Sequence, residues 1–265
     1  MRHKLLNMFA MTFAVVGAQA ASAADMQLKA PVVPAPVSGY NWGGWYAGGN
    51  VGYGWGTSSD PNVSFFDPAG PGFVNFASYF GAGGNVTPNL NTGGVIGGGQ
   101  IGYNWTLAPS WVGGVVTDFQ GSGIKASATN TVTPAAIGIT TFQSNSEQID
   151  WFGTVRAKLG YAQNNWLLYG TGGLAYGRVA TSGSFVIPGA LNLAGSNDTT
   201  KVGWAAGAGL DYGLTSNWIV GVEYLYVDLG RVSYTETQPA LTPSSLTIGN
   251  RAAAQIVRAS LDYKF

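Results

Sequence analysis

Cysteine is absent from the 265-residue sequence, and histidine occurs once, at position 3. The lack of cysteine excludes disulfides, thiolate metal sites and a lipid-modified N-terminal cysteine. Once the N-terminal segment is removed, as argued below, no histidine remains for a Ser-His-Asp or Cys-His nucleophilic site or for a His-ligated metal. We therefore predict a protein that is not an enzyme and has no cofactor or metal. Paired carboxylates stay open as an enzymatic alternative, although no constellation of them stands out.

Charge is also scarce, since only 9% of the residues are charged where about 25% is usual. Without Arg2 and Lys4, the 12 basic residues fall to 10 against 12 acidic ones, so the remaining chain is slightly acidic. This balance does not favour a phosphate-binding surface, and we predict no nucleic-acid partner. The chain has 41 glycines, which would suit a disordered segment, but nine tryptophans weigh against disorder.

No apolar run is long enough for a membrane-spanning helix, which needs about 20 residues. The run from Leu5 to Val16 instead lies between a basic start and a stretch of small residues, which is the layout of a secretory signal peptide. The motif Ala21-Ser22-Ala23 places the cleavage before Ala24. Ala18-Gln19-Ala20 is the second choice, and a cytosolic amphipathic N-terminus is the alternative. We expect a signal peptide at 1–23 and, because proline favours extended backbone outside a sheet, a Pro-rich periplasmic lead-in at 24–43.

From Gly44 onward, eight segments alternate apolar with small or polar residues at period two, as strands do. In the last segment, for example, Val257 and Leu261 share one face while Arg258 and Asp262 share the other. Each segment is long enough for a tilted strand to cross a bilayer, which takes about 9–11 residues. The segments are 44–56, 93–105, 111–120, 149–162, 166–180, 201–214, 218–229 and 250–265.

The gaps between these segments alternate between long and short. The short ones are 106–110, 163–165 and 215–217, and the long ones are 57–92, 121–148, 181–200 and 230–249. Bacterial outer-membrane barrels have an even number of strands, short periplasmic turns and longer extracellular loops. The pattern therefore predicts an all-β fold over residues 44–265, a transmembrane, eight-stranded, antiparallel up-and-down β-barrel in the cell outer membrane.

Aromatic residues separate this prediction from a soluble β-sandwich, which would show the same alternation. In a sandwich they would concentrate in the core, at mid-strand, whereas here they concentrate at the strand ends, where amphipathic rings suit the two membrane interfaces. Near the short turns lie Trp105, Trp111, Tyr161, Trp166, Tyr212, Trp218 and Phe265, and toward the long gaps lie Trp55, Phe119, Trp151, Tyr176 and Trp204.

The same period-two alternation places charged residues of both signs on the inward faces of the strands. Unpaired charges in a confined interior cost several kcal/mol, and eight strands enclose about the space that side chains can fill. We therefore expect a salt-bridge network that closes the lumen, centred on Arg156, Glu223 and Arg258, with an open channel as the alternative. The other polar residues expected inside are Asn50, Gln100, Asp118, Lys158, Asp211 and Asp262.

The gaps 57–92 and 121–148 are predicted extracellular loops rich in Gly, Asn, Ser and Thr, and loops on a rigid scaffold commonly carry recognition. We expect an external ligand, if there is one, to bind there. The first loop also carries aromatic residues, which either contact a ligand or pack on the barrel rim and on each other. These are Phe65, Phe66, Phe73, Phe76, Tyr79 and Phe80.

The stretch Gly43–Trp55, GGWYAGGNVGYGW, resembles the first strand of alphaproteobacterial outer-membrane immunogenic proteins. The signal ending Ala-Ser-Ala-Ala-Asp, the Lys-Ala-Pro lead-in and the closing Val257–Phe265 are similar too, so the resemblance covers the whole chain. This family is placed among porin-like surface antigens with the eight-stranded barrel of the OmpA membrane domain. The resemblance implies contact with outer-membrane lipids and lipopolysaccharide. It also implies that Tyr263 and Phe265 form the signal read by the barrel-assembly machinery.

The expected function is structural, namely a surface barrel that contributes to envelope integrity and exposes its loops. One alternative is a small porin for ions or small solutes. Another is loop-mediated binding of a ligand, such as haem, or of a host surface. Haem is implied by the resemblance alone, and in the absence of His and Cys only Tyr and Met would be available to ligate its iron.

Overall fold

The computed structural model describes residues 39–58, 62–67, 72–75, 90–133, 138, 140–189, 191–237 and 245–265. The predicted signal peptide and most of the lead-in lie outside these ranges. Within them, no helix is long and apolar enough to cross a membrane. The strands are β1 (Gly44–Ser58), β2 (Asn62–Asp67), β3 (Gly72–Asn75), β4 (Leu90–Ala108), β5 (Trp111–Val132), β6 (Thr141–Gln163), β7 (Trp166–Ile187), β8 (Leu191–Gly213), β9 (Trp218–Thr237) and β10 (Ser245–Lys264).

Eight of the strands form a closed antiparallel ring in the order β1, β4, β5, β6, β7, β8, β9 and β10, with β10 paired back to β1. The closing pair brings Val51 opposite Ala259, and on its other side β1 brings Gly49 opposite Gly99. Strands joined by short turns are neighbours throughout, which confirms the predicted up-and-down barrel. Closure of this kind leaves no edge strand in the ring.

Within the barrel wall, the inward and outward faces of the strands are those that the alternation predicts. On β6, Thr154, Arg156 and Lys158 are buried in the interior, whereas Val155 and Leu159 are about half exposed on the outer wall. Aromatic side chains form two outward belts. Near the turns the ring pairs are Trp111–Tyr161, Trp166–Tyr212 and Trp218–Tyr263, and at the other end they are Phe119–Trp151, Trp151–Tyr176 and Trp204–Tyr226.

The strands continue well beyond the outer aromatic belt, so the prediction that 121–148, 181–200 and 230–249 are loops was wrong for most of their length. Paired residues such as Ala128 with Asn145 and Ser184 with Ala194 lie inside the predicted loops. Outside the membrane the outward face no longer has to be apolar, so the period-two signal fades although the pairing persists. We refer to these segments beyond the belt as the outer extension.

The gap 57–92 also contains strands, which the sequence analysis assigned to loop. Strands β2 and β3 form a hairpin, and β2 pairs with the start of β10, placing Phe65 opposite Leu246 and Phe66 opposite Phe73 of β3. The Phe66 side chain is half-buried. The predicted aromatic residues Phe76, Tyr79 and Phe80 lie outside the described residues.

Candidate functional site

The barrel interior holds a buried ion-pair network of four residues from four strands, which we call the central network: Asp118 (β5), Arg156 (β6), Glu223 (β9) and Arg258 (β10). Arg156 donates from Nη1 to Glu223 Oε1 at 2.7 Å and from Nη2 to Asp118 Oδ2 at 2.9 Å. Arg258 donates from Nη2 to Glu223 Oε2 at 2.5 Å and to Asp118 Oδ2 at 3.0 Å. Two cations thus balance two anions, and all four side chains are at most 9% exposed.

Strand register and a threonine hold this network in place. Arg258 and Glu223 are direct partners across β9 and β10, and Asp118 pairs with Thr154 across β5 and β6. The Thr154 hydroxyl donates to Asp118 Oδ2 at 2.8 Å and accepts from Arg156 Nε at 2.9 Å. Gly173, the partner of Arg156 across β6 and β7, lets the two backbones approach closely, since a Cβ there would lie 2.8 Å from the Arg156 Cα.

A second ion pair lies on the turn side of the central network. Lys158 Nζ donates to Asp211 Oδ2 at 2.5 Å and lies 3.7 Å from the centroid of the Tyr169 ring. Beside it, Gln100 Nε2 donates to both carboxylate oxygens of Asp262 at 2.9 Å. Asn50 Nδ2 in turn donates to Gln100 Oε1 at 3.3 Å. The structure thus places every residue predicted for the lumen in the interior. Asp118 joins the predicted central residues Arg156, Glu223 and Arg258 as a fourth member.

Little free space remains between these groups. The cavity beside Arg156, Lys158 and Asp262 has a volume of about 20 Å³, which is room for about one water molecule. Two polar atoms of the central network, Asp118 Oδ1 and Arg258 Nη1, are buried without a protein partner among the described residues. Among the described residues, the charged groups therefore occupy most of the barrel interior at this level.

An apolar layer, which the sequence analysis missed, closes the interior on the outer side of the central network. Phe152, only 2% exposed, and Ile256, fully buried, belong to it. They lie an even number of residues from Arg156 and Arg258 on the same strands, so the alternation could have assigned them to the interior. Ile149 lies beyond a β-bulge, where strict period two places it on the wrong face. The layer consists of Ile96, Ile124, Ile149, Phe152, Ala175, Val179, Ala205, Leu225, Val227, Leu229, Val232, Ala252, Ala254 and Ile256.

The end of the predicted lead-in packs into the turn-side mouth of the barrel. Trp42 is 3% exposed and belongs to an apolar cluster with Val112, Leu167, Tyr169 and Ile219. The neighbouring Tyr40 contacts Trp42 edge to face at 4.6 Å and donates from its backbone N–H to Asn164 O at 3.3 Å. This cluster lies on the side opposite to the apolar layer, and a cavity of about 250 Å³ beside it is lined by Tyr40, Trp42 and Val112.

Beyond the apolar layer, the outer extension contains a buried polar cluster that the sequence analysis also missed, because it placed these residues in loops. We call Gln143, Asn145, Tyr234 and Glu236 the outer polar cluster. Gln143 Nε2 donates to Asn145 Oδ1 at 2.8 Å and to Glu236 Oε1 at 3.3 Å, and the Tyr234 hydroxyl donates to Asn145 Oδ1 at 2.8 Å. Burial raises the pKa of Glu236 to about 7.

The C-terminal residues that the resemblance singles out lie on the outer wall beside the turns. Tyr263 packs against Trp218 and Phe265, each at 5.3 Å between ring centroids. Phe265 is 75% exposed and donates from its backbone N–H to Trp45 O at 3.0 Å. Their role as an assembly signal stays a prediction, as does an external ligand at 57–92 and 121–148.

Comparison with known proteins places this architecture in a family. The outer membrane protein β-barrel domain matches residues 11–265. The chain belongs to the outer membrane protein β-barrel family. It is 37% identical to the 31 kDa outer-membrane immunogenic protein of Brucella melitensis, over 96% of this chain and 97% of that protein. It is 28% identical to the 25 kDa outer-membrane immunogenic protein of Brucella abortus, over 92% and 91% of the two chains.

Two solved outer-membrane proteins align along most of this family member at low identity. OprG from Pseudomonas aeruginosa covers 86% of this chain and 98% of its own, at 12% identity and a TM-score of 0.41. The protease OmpT from Escherichia coli covers 84% and 97%, at 11% identity and a TM-score of 0.47.

The family membership and the named relatives confirm the predicted resemblance, the barrel fold and the location. This member of the outer membrane protein β-barrel family is an outer-membrane surface protein with exposed loops. It lies among the lipids and lipopolysaccharide of that membrane.

Proposed function

We propose that this protein is a closed barrel that contributes to envelope integrity and presents its outer extension at the cell surface. The observation that carries the proposal is the series of packed layers in the interior. From the turn side outward these are the Trp42 cluster, the charged layer and the apolar layer.

A channel would have to open every one of these layers. Removing one member of a buried ion pair costs about 3–5 kcal/mol, because the remaining charge stays buried without its partner. The apolar layer offers no polar group to replace the water that an ion would lose on entry. These energies support a barrel that stays closed, against the small-porin alternative.

We also propose that the chain is not an enzyme. With His3 inside the predicted signal peptide, no histidine is left to act as a general base in the mature barrel. The buried carboxylates Asp118 and Glu223 are each paired with two arginines. These ion pairs do not favour a role of either carboxylate as a general acid or base. Tyr263 and Phe265 serve as the signal for the barrel-assembly machinery.

The envelope role is tested in cells that lack the gene. Such cells should become more sensitive to detergents and to large antibiotics, and the wild-type gene should restore resistance. A solute-uptake assay with proteoliposomes provides the second arm, in which the wild-type barrel should admit small sugars no faster than protein-free vesicles. Rapid sugar uptake, or unchanged detergent sensitivity of the deletion strain, would overturn the proposal.

A further inference from the structure

A groove lies in the outer wall of the barrel where β1, β4 and β5 face the membrane. Its volume is about 340 Å³, and two aromatic residues of the outer belt border it. The outward-facing residues that line it are Ala47, Gly99, Ile101, Thr117, Phe119 and Tyr176. Because the outer belt marks the interface on the cell-surface side, the groove opens into the hydrocarbon of the outer half of the membrane. We call it the wall groove.

Outward-facing glycines form the floor of the wall groove and continue it toward the cell surface. Gly49 of β1 pairs with Gly99 of β4, and Gly97 of β4 pairs with Gly121 of β5. All four are exposed on the outer wall. A Cβ at any of them would lie no nearer than 3.6 Å to an atom beyond its chain neighbours. Packing within the barrel therefore does not require glycine at these positions.

The inward-facing glycines of the same strands differ in this respect. A Cβ at Gly48 would overlap the Leu261 carbonyl oxygen, and a Cβ at Gly98 would overlap the Phe119 carbonyl oxygen. Glycine in the interior of a strand weakens it and commonly marks a place where another group approaches the backbone closely. On the inward side that group is the neighbouring strand. On the outward side it has to come from outside the barrel.

The surroundings of the wall groove favour a lipid acyl chain as its occupant. The groove is continuous with the lipid-facing wall of a protein of the outer membrane, where hydrocarbon is the surrounding medium. An acyl chain is thin and flexible enough to follow the glycine floor, whereas the convex wall of a second barrel would reach that floor only with a single side chain. The Thr117 hydroxyl donates to Thr154 O at 3.0 Å, so it needs no partner from the lipid.

A positive charge lies on the cell-surface side of the wall groove. Lys125 is exposed on β5, the strand that also carries Thr117 and Phe119, and it lies beyond the outer belt opposite Gly93 of β4. It is in no ion pair with the described residues, unlike the exposed cations of the pairs Arg178–Asp198 and Arg251–Asp228. A cation at this level complements an anionic lipid headgroup.

We propose that the wall groove binds one acyl chain of lipid A, the membrane anchor of lipopolysaccharide, and that Lys125 pairs with a phosphate of the same molecule. Lipopolysaccharide occupies the outer leaflet, the half of the membrane into which the groove opens, and lipid A combines acyl chains with phosphate groups. Such a site attaches the barrel to the lipopolysaccharide layer, whether or not the lumen is closed.

The test is native mass spectrometry of the refolded full-length mature barrel in detergent, titrated in separate arms with purified lipid A and with phosphatidylethanolamine. We expect saturable binding of one lipid A per barrel and weaker binding of phosphatidylethanolamine. Gly99→Leu fills the groove and should weaken lipid A binding by about ten-fold or more. Lys125→Gln removes the charge and should weaken it by about five-fold, with no effect on phosphatidylethanolamine.

Gly172→Leu is the matched control, because Gly172 is also exposed on the outer wall but lies on β7, outside the lining of the groove. A Cβ there would lie 3.7 Å from Ala205 O, so a side chain is tolerated as well as at Gly99. This variant should bind lipid A like the wild type, and heat-modified migration on gels shows that each variant is folded.

Four outcomes would overturn the proposal. One is the absence of saturable lipid A binding to the wild type, and another is equal loss of binding in Gly99→Leu and Gly172→Leu. A third is binding of phosphatidylethanolamine as tight as that of lipid A. The last is a lipid-free dimer of the wild type that Gly99→Leu dissociates, which would assign the groove to a second copy of the barrel.

Discussion

Replacing Arg156 by methionine tests whether the central network stabilises the barrel as a balanced set of charges. Arg156 is the largest fully buried side chain of the residues that the structure describes, and it donates to both Asp118 and Glu223. Its loss leaves two carboxylates sharing Arg258, so the interior gains one uncompensated negative charge. Breaking a buried pair from one side costs about 3–5 kcal/mol, and we expect the free energy of unfolding to fall by that amount.

The assay is equilibrium unfolding in urea of the barrel refolded into lipid vesicles, followed by tryptophan fluorescence. The control is Arg178→Met, which breaks exposed ion pairs with Asp198 and Asp150 and should leave the free energy of unfolding almost unchanged.

A double variant separates charge balance from simple loss of packing. Arg156→Met with Asp118→Leu removes one cation and one anion and leaves the Arg258–Glu223 pair, 2.5 Å apart, neutral as a unit. We expect this double variant to be more stable than the sum of the two single losses predicts, by about 1–3 kcal/mol. Strict additivity, or equal losses in Arg156→Met and Arg178→Met, would refute the reasoning.

Three further predictions concern the other layers and the C-terminus. Burial raises the pKa of Glu236 from 4.5 to about 7. Between these values the folded barrel holds a proton that the unfolded chain has lost, so its unfolding free energy should rise as the pH falls from 7 to 4.5, and Glu236→Gln should weaken this dependence. Trp42→Ala should lower the unfolding free energy by about 3 kcal/mol in the urea assay, since it empties the turn-side cluster. Phe265→Ala should reduce the amount of barrel inserted in cells, measured in outer-membrane fractions, while refolding of the purified protein stays unchanged because this ring is 75% exposed.

Side-chain parity made the membrane part of the fold predictable from the sequence. Within the bilayer one face must be apolar and the other must suit the interior, so Arg156, Glu223 and Arg258 could be assigned inward without a structure. These residues lie on separate predicted strands and carry charges of both signs, and this was enough to predict an ion-pair network.

The outer extension and the apolar layer could not be read in the same way. Outside the membrane both faces of a strand tolerate polar residues, so Gln143 and Glu236 carry no periodic signal that separates strand from loop. A β-bulge at Ile149 also shifts the parity where the wall leaves the membrane. Which inward residues meet across the lumen depends on the register of strands that are not neighbours, and no local pattern contains that information.

The central claim is that the lumen is closed, and single-barrel conductance in planar bilayers tests it most directly. We predict that the refolded wild-type barrel is silent. We also predict that Arg156→Ala and Glu223→Ala stay silent, because the apolar layer remains above the missing charges. Conductance should appear only when all three layers are opened, by Phe152→Ala, Ile256→Ala and Trp42→Ala added to Arg156→Ala. Steady conductance through single wild-type barrels would contradict the account and make a small porin the leading interpretation.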